Sequence, residues 1–171
     1  DVRDKIIMKG DIPALLTDIV AEPYPVPPKE SIRAAIIPGG LEFEGLLRSL
    51  KNAARQTADI ACLPGYYWSG YERLSKLREL STKAAEYRMY IALGCSENHE
   101  LVIFDRDGRA AMEYHTARMH HAAPPERRTE SLLVVETDFG KVGLLAFPVI
   151  ESPLYMRIMA LQGARLFCLP L

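Results

Sequence analysis

The 171-residue chain is long enough to bury one substantial core and too short for two ordinary domains. Its 49% hydrophobic, 25% charged and 8% aromatic residues exclude a disordered or fibrous chain. With 21 Lys plus Arg against 22 Asp plus Glu, a formal net charge of -1 offers no global field toward nucleic acid or an anionic membrane.

In chain order, residues 11–20 read as a short helix with Asp11 at its N-cap and Pro13 in its first turn. Residues 21–28 hold four prolines, Pro23, Pro25, Pro27 and Pro28, which forbid a helix or central strand and predict an extended linker or arm. Residues 1–30 are therefore set apart from a domain spanning 31–171. Within that domain, 33–37 reads as a strand and 41–56 as a helix with Leu46, Leu47, Leu50, Ala53 and Ala54 on one stripe. The apolar run 59–63 ends at Pro64-Gly65, and 71–87 is helical with Leu74, Leu77, Leu80 and Ala84 aligned.

Strands are expected at 90–93, 101–104 and 110–114, the last two joined by a hairpin whose Asp107-Gly108 step supplies the positive φ. A second hairpin pairs 132–136 with 141–146 through Asp138-Phe139-Gly140. An apolar stripe at 154–161 predicts a helix capped at Gly163, followed by a final strand at 165–169. Strands interleaved with helices and hairpins define an α/β class with a mixed sheet. No apolar run reaches the ~20 residues of a membrane-spanning helix and no signal peptide is recognisable, so a cytoplasmic location is the expectation. The three cysteines, Cys62, Cys95 and Cys168, lack the spacing of a zinc site or disulfide framework and read as free thiols.

Four blocks in order resemble the nitrilase (carbon-nitrogen hydrolase) superfamily. They are 58–64 (Ala-Asp-Ile-Ala-Cys-Leu-Pro), 102–109 (Val-Ile-Phe-Asp-Arg-Asp-Gly-Arg), 136–145 (Glu-Thr-Asp-Phe-Gly-Lys-Val-Gly-Leu-Leu) and 160–170 (Ala-Leu-Gln-Gly-Ala-Arg-Leu-Phe-Cys-Leu-Pro). The resemblance implies an α-β-β-α sandwich and a Glu-Lys-Cys triad that cleaves amides or nitriles: a thiolate attacks carbon, a carboxylate shuttles protons and an ammonium stabilises the oxyanion. It implies no cofactor and no metal. At the three matching positions this chain carries Gly65, Thr116 and Phe147, none able to perform the corresponding role. A further glutamate that assists the family's triad falls near Arg128, with Glu126 and Glu130 close by. The family's fold also continues beyond the strand matching 165–169, so a chain running from Asp1 to Leu171 reads as a segment of a longer polypeptide with an incomplete sandwich.

Other residues offer alternatives. Cys95 has Glu97 and His99 near it in sequence, a chemically capable trio, although neighbours along an extended chain rarely converge on one atom. Tyr66, Tyr67 and Trp68 directly follow the lost glutamate and can fill the old pocket or grip a partner. His115, His120 and His121, with Arg118, Arg127 and Arg128, read as a solvated, weakly basic loop rather than a metal or phosphate site. The resulting expectation is a catalytically inactive nitrilase-like domain acting as a scaffold or oligomerisation module, with homo-oligomers or attached domains as partners and neither membrane nor nucleic acid implied. Fusion to another catalytic module, such as a defence-type reverse transcriptase, is one setting the resemblance implies. The alternatives are an active carbon-nitrogen hydrolase with relocated groups, such as Cys95 or Cys168, and a small-molecule sensor using the old pocket.

Overall fold

The computed structural model describes residues 31–66, 68, 70–95, 100–115, 134–145 and 153–170. The helix and proline-rich arm expected within 1–30 lie outside the described residues. Eight strands and three helices follow in the order β1 (Ala34–Ile36), α1 (Phe43–Arg55), β2 (Ile60–Tyr66), α2 (Gly70–Tyr87), β3 (Tyr90–Cys95), β4 (Glu100–Phe104), β5 (Ala110–His115), β6 (Val134–Thr137), β7 (Gly140–Leu144), α3 (Pro153–Leu161) and β8 (Ala164–Cys168).

The strands form two sheets. In the first, β1, β2 and β3 run parallel and β4 and β5 add antiparallel strands beyond β3. In the second, β6 and β7 make an antiparallel hairpin and β8 pairs parallel to β7, with α3 as the crossover that a parallel pair requires. Both sheets belong to the mixed α/β class expected from the sequence.

Side-chain alternation on the strands assigns the layers. Ala61, Leu63, Ile91, Leu93, Val102 and Phe104 pack with Leu46, Leu50 and Ala53 of α1 and Leu80 and Ala84 of α2. The opposite face of the same sheet, Ile60, Tyr90, Ala92, Leu101 and Ile103, packs against Val135, Val142, Leu144 and Cys168 of the second sheet. Gly143 faces the other way, since a Cβ there would meet Phe167 Cδ1 at 2.9 Å and Met159 Sδ of α3 at 3.1 Å. The order is therefore α1 and α2, five-stranded sheet, three-stranded sheet, α3: the expected α-β-β-α sandwich.

Local chemistry accounts for the element ends. In the β4–β5 turn the Asp105 carboxylate accepts hydrogen bonds from the amides of Asp107 and Arg109, both at 2.8 Å, and Gly108 adopts φ +78°. Gly163, at φ +94°, ends α3. Thr57 takes a left-handed φ of 58° after α1, and the Arg33 guanidinium holds that corner by donating to Thr57 Oγ1 and to the Gln56 carbonyl.

Two expectations are corrected. β2 does not stop at Leu63 but runs through Pro64 to Tyr66, because a register irregularity between Cys62 and Gly65 accommodates the residue that has no amide to donate. Leu74 is 57% exposed despite its place in the apolar stripe of α2, which is buried at Leu80 and Ala84.

Candidate functional site

Gly65 lies near the C-terminal end of β2, half-buried and in register with Gly94 of β3. A residue without a side chain thus faces another glycine across the ladder at this strand end. The second sheet approaches closely here, since a Cβ on Gly94 would come within 3.2 Å of the Pro170 carbonyl oxygen just beyond β8. Thr116 and Phe147 lie outside the described residues. Thr116 follows directly after His115, the last residue of β5, and Phe147 lies two positions beyond Leu145, whose amide donates to the Cys168 carbonyl at 3.0 Å.

The register draws one further row across this end of the first sheet. Tyr66 pairs with Cys95, Cys95 with Glu100, and Glu100 with His115. Cys95 is the last residue of β3 rather than a residue beyond it; its register partner on β4 is Glu100, and His115 occupies the matching position on β5, one strand further. The sequence neighbours Glu97 and His99 lie outside the described residues, as do Tyr67 and Arg128. Glu100 and His115, fifteen positions apart, could be placed opposite one another from sequence only after the β4–β5 hairpin register is set, which the Asp107-Gly108 turn does.

Trp68 does not line the space between the sheets. It is 7% exposed in the core beneath α1 and α2, edge-on to Phe43 at 5.5 Å, with the Lys76 ammonium 4.9 Å from its ring centroid and 5.2 Å from that of Phe43. Lys76 also pairs with Glu72 one turn earlier at 2.5 Å. The side chain is engaged in the core between the helices and the first sheet rather than filling a pocket.

The opposite end of the sandwich carries charge. Asp59, 5% exposed just before β2, accepts from the Arg33 amide at 3.2 Å and from Arg106 Nη2 at 2.8 Å. Arg106 also donates through Nε to Asp138 in the β6–β7 turn at 3.1 Å and through Nη1 to the Arg88 carbonyl, while its guanidinium covers the Tyr90 ring at 5.3 Å. Burial opposes the Arg106 charge, but the two carboxylates outweigh it and hold its pKa above the ordinary value. Tyr90 stacks edge-on with Phe139 at 5.4 Å, so one cluster ties both sheets together.

A contact missed in the sequence joins Cys62 of β2 to Cys168 of β8. Both are reduced; Cys168 is buried and Cys62 half-buried. The Cys62 thiol donates to the Leu63 carbonyl oxygen at 3.9 Å; the neighbouring Cys168 thiol lowers the Cys62 pKa against the opposing effect of burial, and the Leu169 backbone lowers it further. Closeness to Cys62, reinforced by burial, pushes Cys168 well above the ordinary thiol range. Among the described side chains no group of three or more His, Cys, Asp or Glu residues is placed to hold a metal ion.

The family model for carbon-nitrogen hydrolases matches residues 42–170. The chain belongs to the carbon-nitrogen hydrolase family. Solved structures agree on the fold. A glutamate-to-glutamine mutant of the amidase from Nesterenkonia sp. AN1, bearing the acetamide moiety of fluoroacetamide on its active-site cysteine, superposes with a TM-score of 0.65 at 18% identity, covering 85% of this chain and 66% of that one. A carbon-nitrogen hydrolase from Helicobacter pylori G27 gives 0.61 at 20% identity, covering 81% of this chain and 59% of that one. The chain therefore spans about two thirds or less of the length of these family members. A comparison with curated proteins gives no match. No helix among the described residues is long and apolar enough to cross a membrane.

Proposed function

We propose that this carbon-nitrogen hydrolase domain does not hydrolyse amides or nitriles and serves as an assembly module within a larger protein. The observation that carries the reading is Gly65 paired with Gly94: the strand end that matches the family's carboxylate position offers no proton acceptor, and its ladder partner supplies none. Thr116 and Phe147 at the other two matching positions remove the ammonium and the thiol. A surface for assembly exists on α2, where Tyr71 and Leu74, three positions apart on one helix face, are 87% and 57% exposed. A second copy of the chain fits that face.

The test is ammonia release across a broad panel of amides and nitriles, alongside native mass spectrometry of the chain. The expected result is no turnover, together with a defined oligomer that Leu74→Asp weakens. Turnover above the uncatalysed rate overturns the inactive reading. A monomer at all concentrations overturns the assembly role.

A second reading rests on the Cys95, Glu100 and His115 row. These residue types suffice for a thiol nucleophile with acid-base support, placed on three successive strands each about 5 Å from the next, so that Glu100 neighbours Cys95 and His115 stands one strand further, about 10 Å from Cys95. Turnover abolished by Cys95→Ser and retained by Cys168→Ser would replace the first reading with this one.

A further inference from the structure

The outward face of the helical layer carries two stripes of opposite charge. On α1, Arg48, Lys51 and Arg55 are exposed and share one helix face, the second three and the third seven positions after the first. On α2, Glu72, Glu79 and Glu86 are exposed and recur every seven positions, two helical turns. Apart from Glu72 with Lys76 and Glu86 with Lys83, both within α2, no ion pair among the described residues involves these six side chains. The basic stripe and the acidic stripe lie side by side without neutralising one another.

Topology fixes how the stripes align. β1, β2 and β3 are parallel, so α1 and α2, each returning the chain from the end of one strand to the start of the next, run in the same direction on one side of the sheet. They are neighbours, because the Lys76 ammonium of α2 sits 5.2 Å from the ring centroid of Phe43 of α1. Each helix is followed by a non-glycine residue in the left-handed conformation, Thr57 at φ 58° and Arg88 at φ 51°, just before Ile60 and Tyr90, which pair in the ladder. The two helix ends are therefore level. Counting back from Thr57 and Arg88, Arg55 and Glu86 stand two positions before, and Arg48 and Glu79 nine before. Cations on α1 and carboxylates on α2 share one axial register.

We propose that this layer is the contact between two copies of the chain, related by a two-fold axis parallel to the helices that lays α1 of each over α2 of the other. The rotation carries no translation and keeps axial levels, so Arg55 meets Glu86 of the partner subunit and Arg48 meets Glu79 of the partner subunit, twice over. A two-fold axis across the helices would instead set α1 on α1 and α2 on α2, cation against cation and acid against acid. Tyr71 and Leu74, exposed at the start of α2, add apolar area to the same face. Exposed charge pairs add little affinity singly, so what they set here is which faces meet and in what register. The inference rests on the assembly reading above and gives it a geometry.

The test uses two charge-reversed chains, one carrying Arg48→Glu with Arg55→Glu and the other Glu79→Arg with Glu86→Arg, and reads subunit number by native mass spectrometry. Each alone should be monomeric at a concentration where the wild type pairs, because like charges then oppose at both halves of the contact. Mixed in equal amounts, the two should form a one-to-one heterodimer, since the reversed stripes again meet opposite charge. Circular dichroism checks that each chain is folded. In the wild type, dissociation read by light scattering should rise with sodium chloride, a measurement that needs no variant. Wild-type pairing that ignores salt, or survives both reversals, overturns this geometry and leaves the assembly reading in place. Loss of pairing in both folded chains without recovery on mixing overturns the register. A wild-type monomer at all concentrations overturns both readings.

Discussion

The two ends of the paired strands β2 and β3 are chemically opposite. At one end Asp59, Arg106 and Asp138 form a partly buried ionic cluster that spans both sheets. At the other, Gly65 and Gly94 face each other without a side chain between them. The charged end needs every member, because a buried carboxylate without its partner is costly. The glycine end demands only closeness. Electrostatic stabilisation in this sandwich is therefore concentrated at the end that carries Asp59, away from the Gly65 and Gly94 strand ends.

The charged end is the more fragile of the two. Arg106→Met should lose about 3 kcal/mol of stability, read as a lower urea midpoint, because it leaves Asp59 buried beside an apolar side chain. Adding Asp59→Asn to that variant should recover part of the loss, which a double-mutant cycle measures. Gly108→Ala should follow at about 2 kcal/mol: its φ of +78° disfavours any side chain, and a Cβ would stand 2.5 Å from the Ser81 carbonyl oxygen.

At the other end the effects shrink. Gly94→Ala should cost about 1 kcal/mol in thermal or urea unfolding, since the Pro170 backbone 3.2 Å from the new Cβ has only to shift slightly. The smallest effect sharpens the comparison through pH. The folded-state pKa of Cys62 lies below its unfolded value, so its contribution to stability is fully present above the unfolded thiol pKa and is lost as pH falls through the folded one. Alkylation of Cys62 should accordingly persist at pH values below those at which an ordinary thiol stops reacting, while Cys168, shifted the other way, stays unreactive over that range. Equal pH profiles for the two thiols would remove the asymmetry.

Much of this was legible from local chemistry. The turn at Asp105 to Gly108 and the glycine after α3 announced their conformations, and the stripe of α1 is buried at Leu46, Leu50 and Ala53 as its spacing predicts. What escaped was whatever depends on two distant segments meeting. Pro64 looked like a strand terminator because its missing amide is a local fact, whereas the bulge that absorbs it belongs to the ladder with β3. Leu74 fitted the helix period, but burial depends on how far the sheet extends beneath the helix. Cys62 and Cys168 each read as a free thiol in an apolar run, and only the stacking of the sheets brings them into one core. Of the site positions, Gly65 could be named from its motif alone, while the Cys95, Glu100 and His115 row required a register.

The β4–β5 turn is short, exposed at Asp107 and Arg109, and built from residues that ordinarily mark a place where a chain can be lengthened. Arg106 changes that. From this one turn it reaches the Arg88 carbonyl, Asp138 and Asp59, respectively 18, 32 and 47 positions away in the chain. Grafting a peptide or tag into this hairpin would move the guanidinium and release three distant segments together, so a surface loop that looks like the natural insertion point is among the worst places to put one.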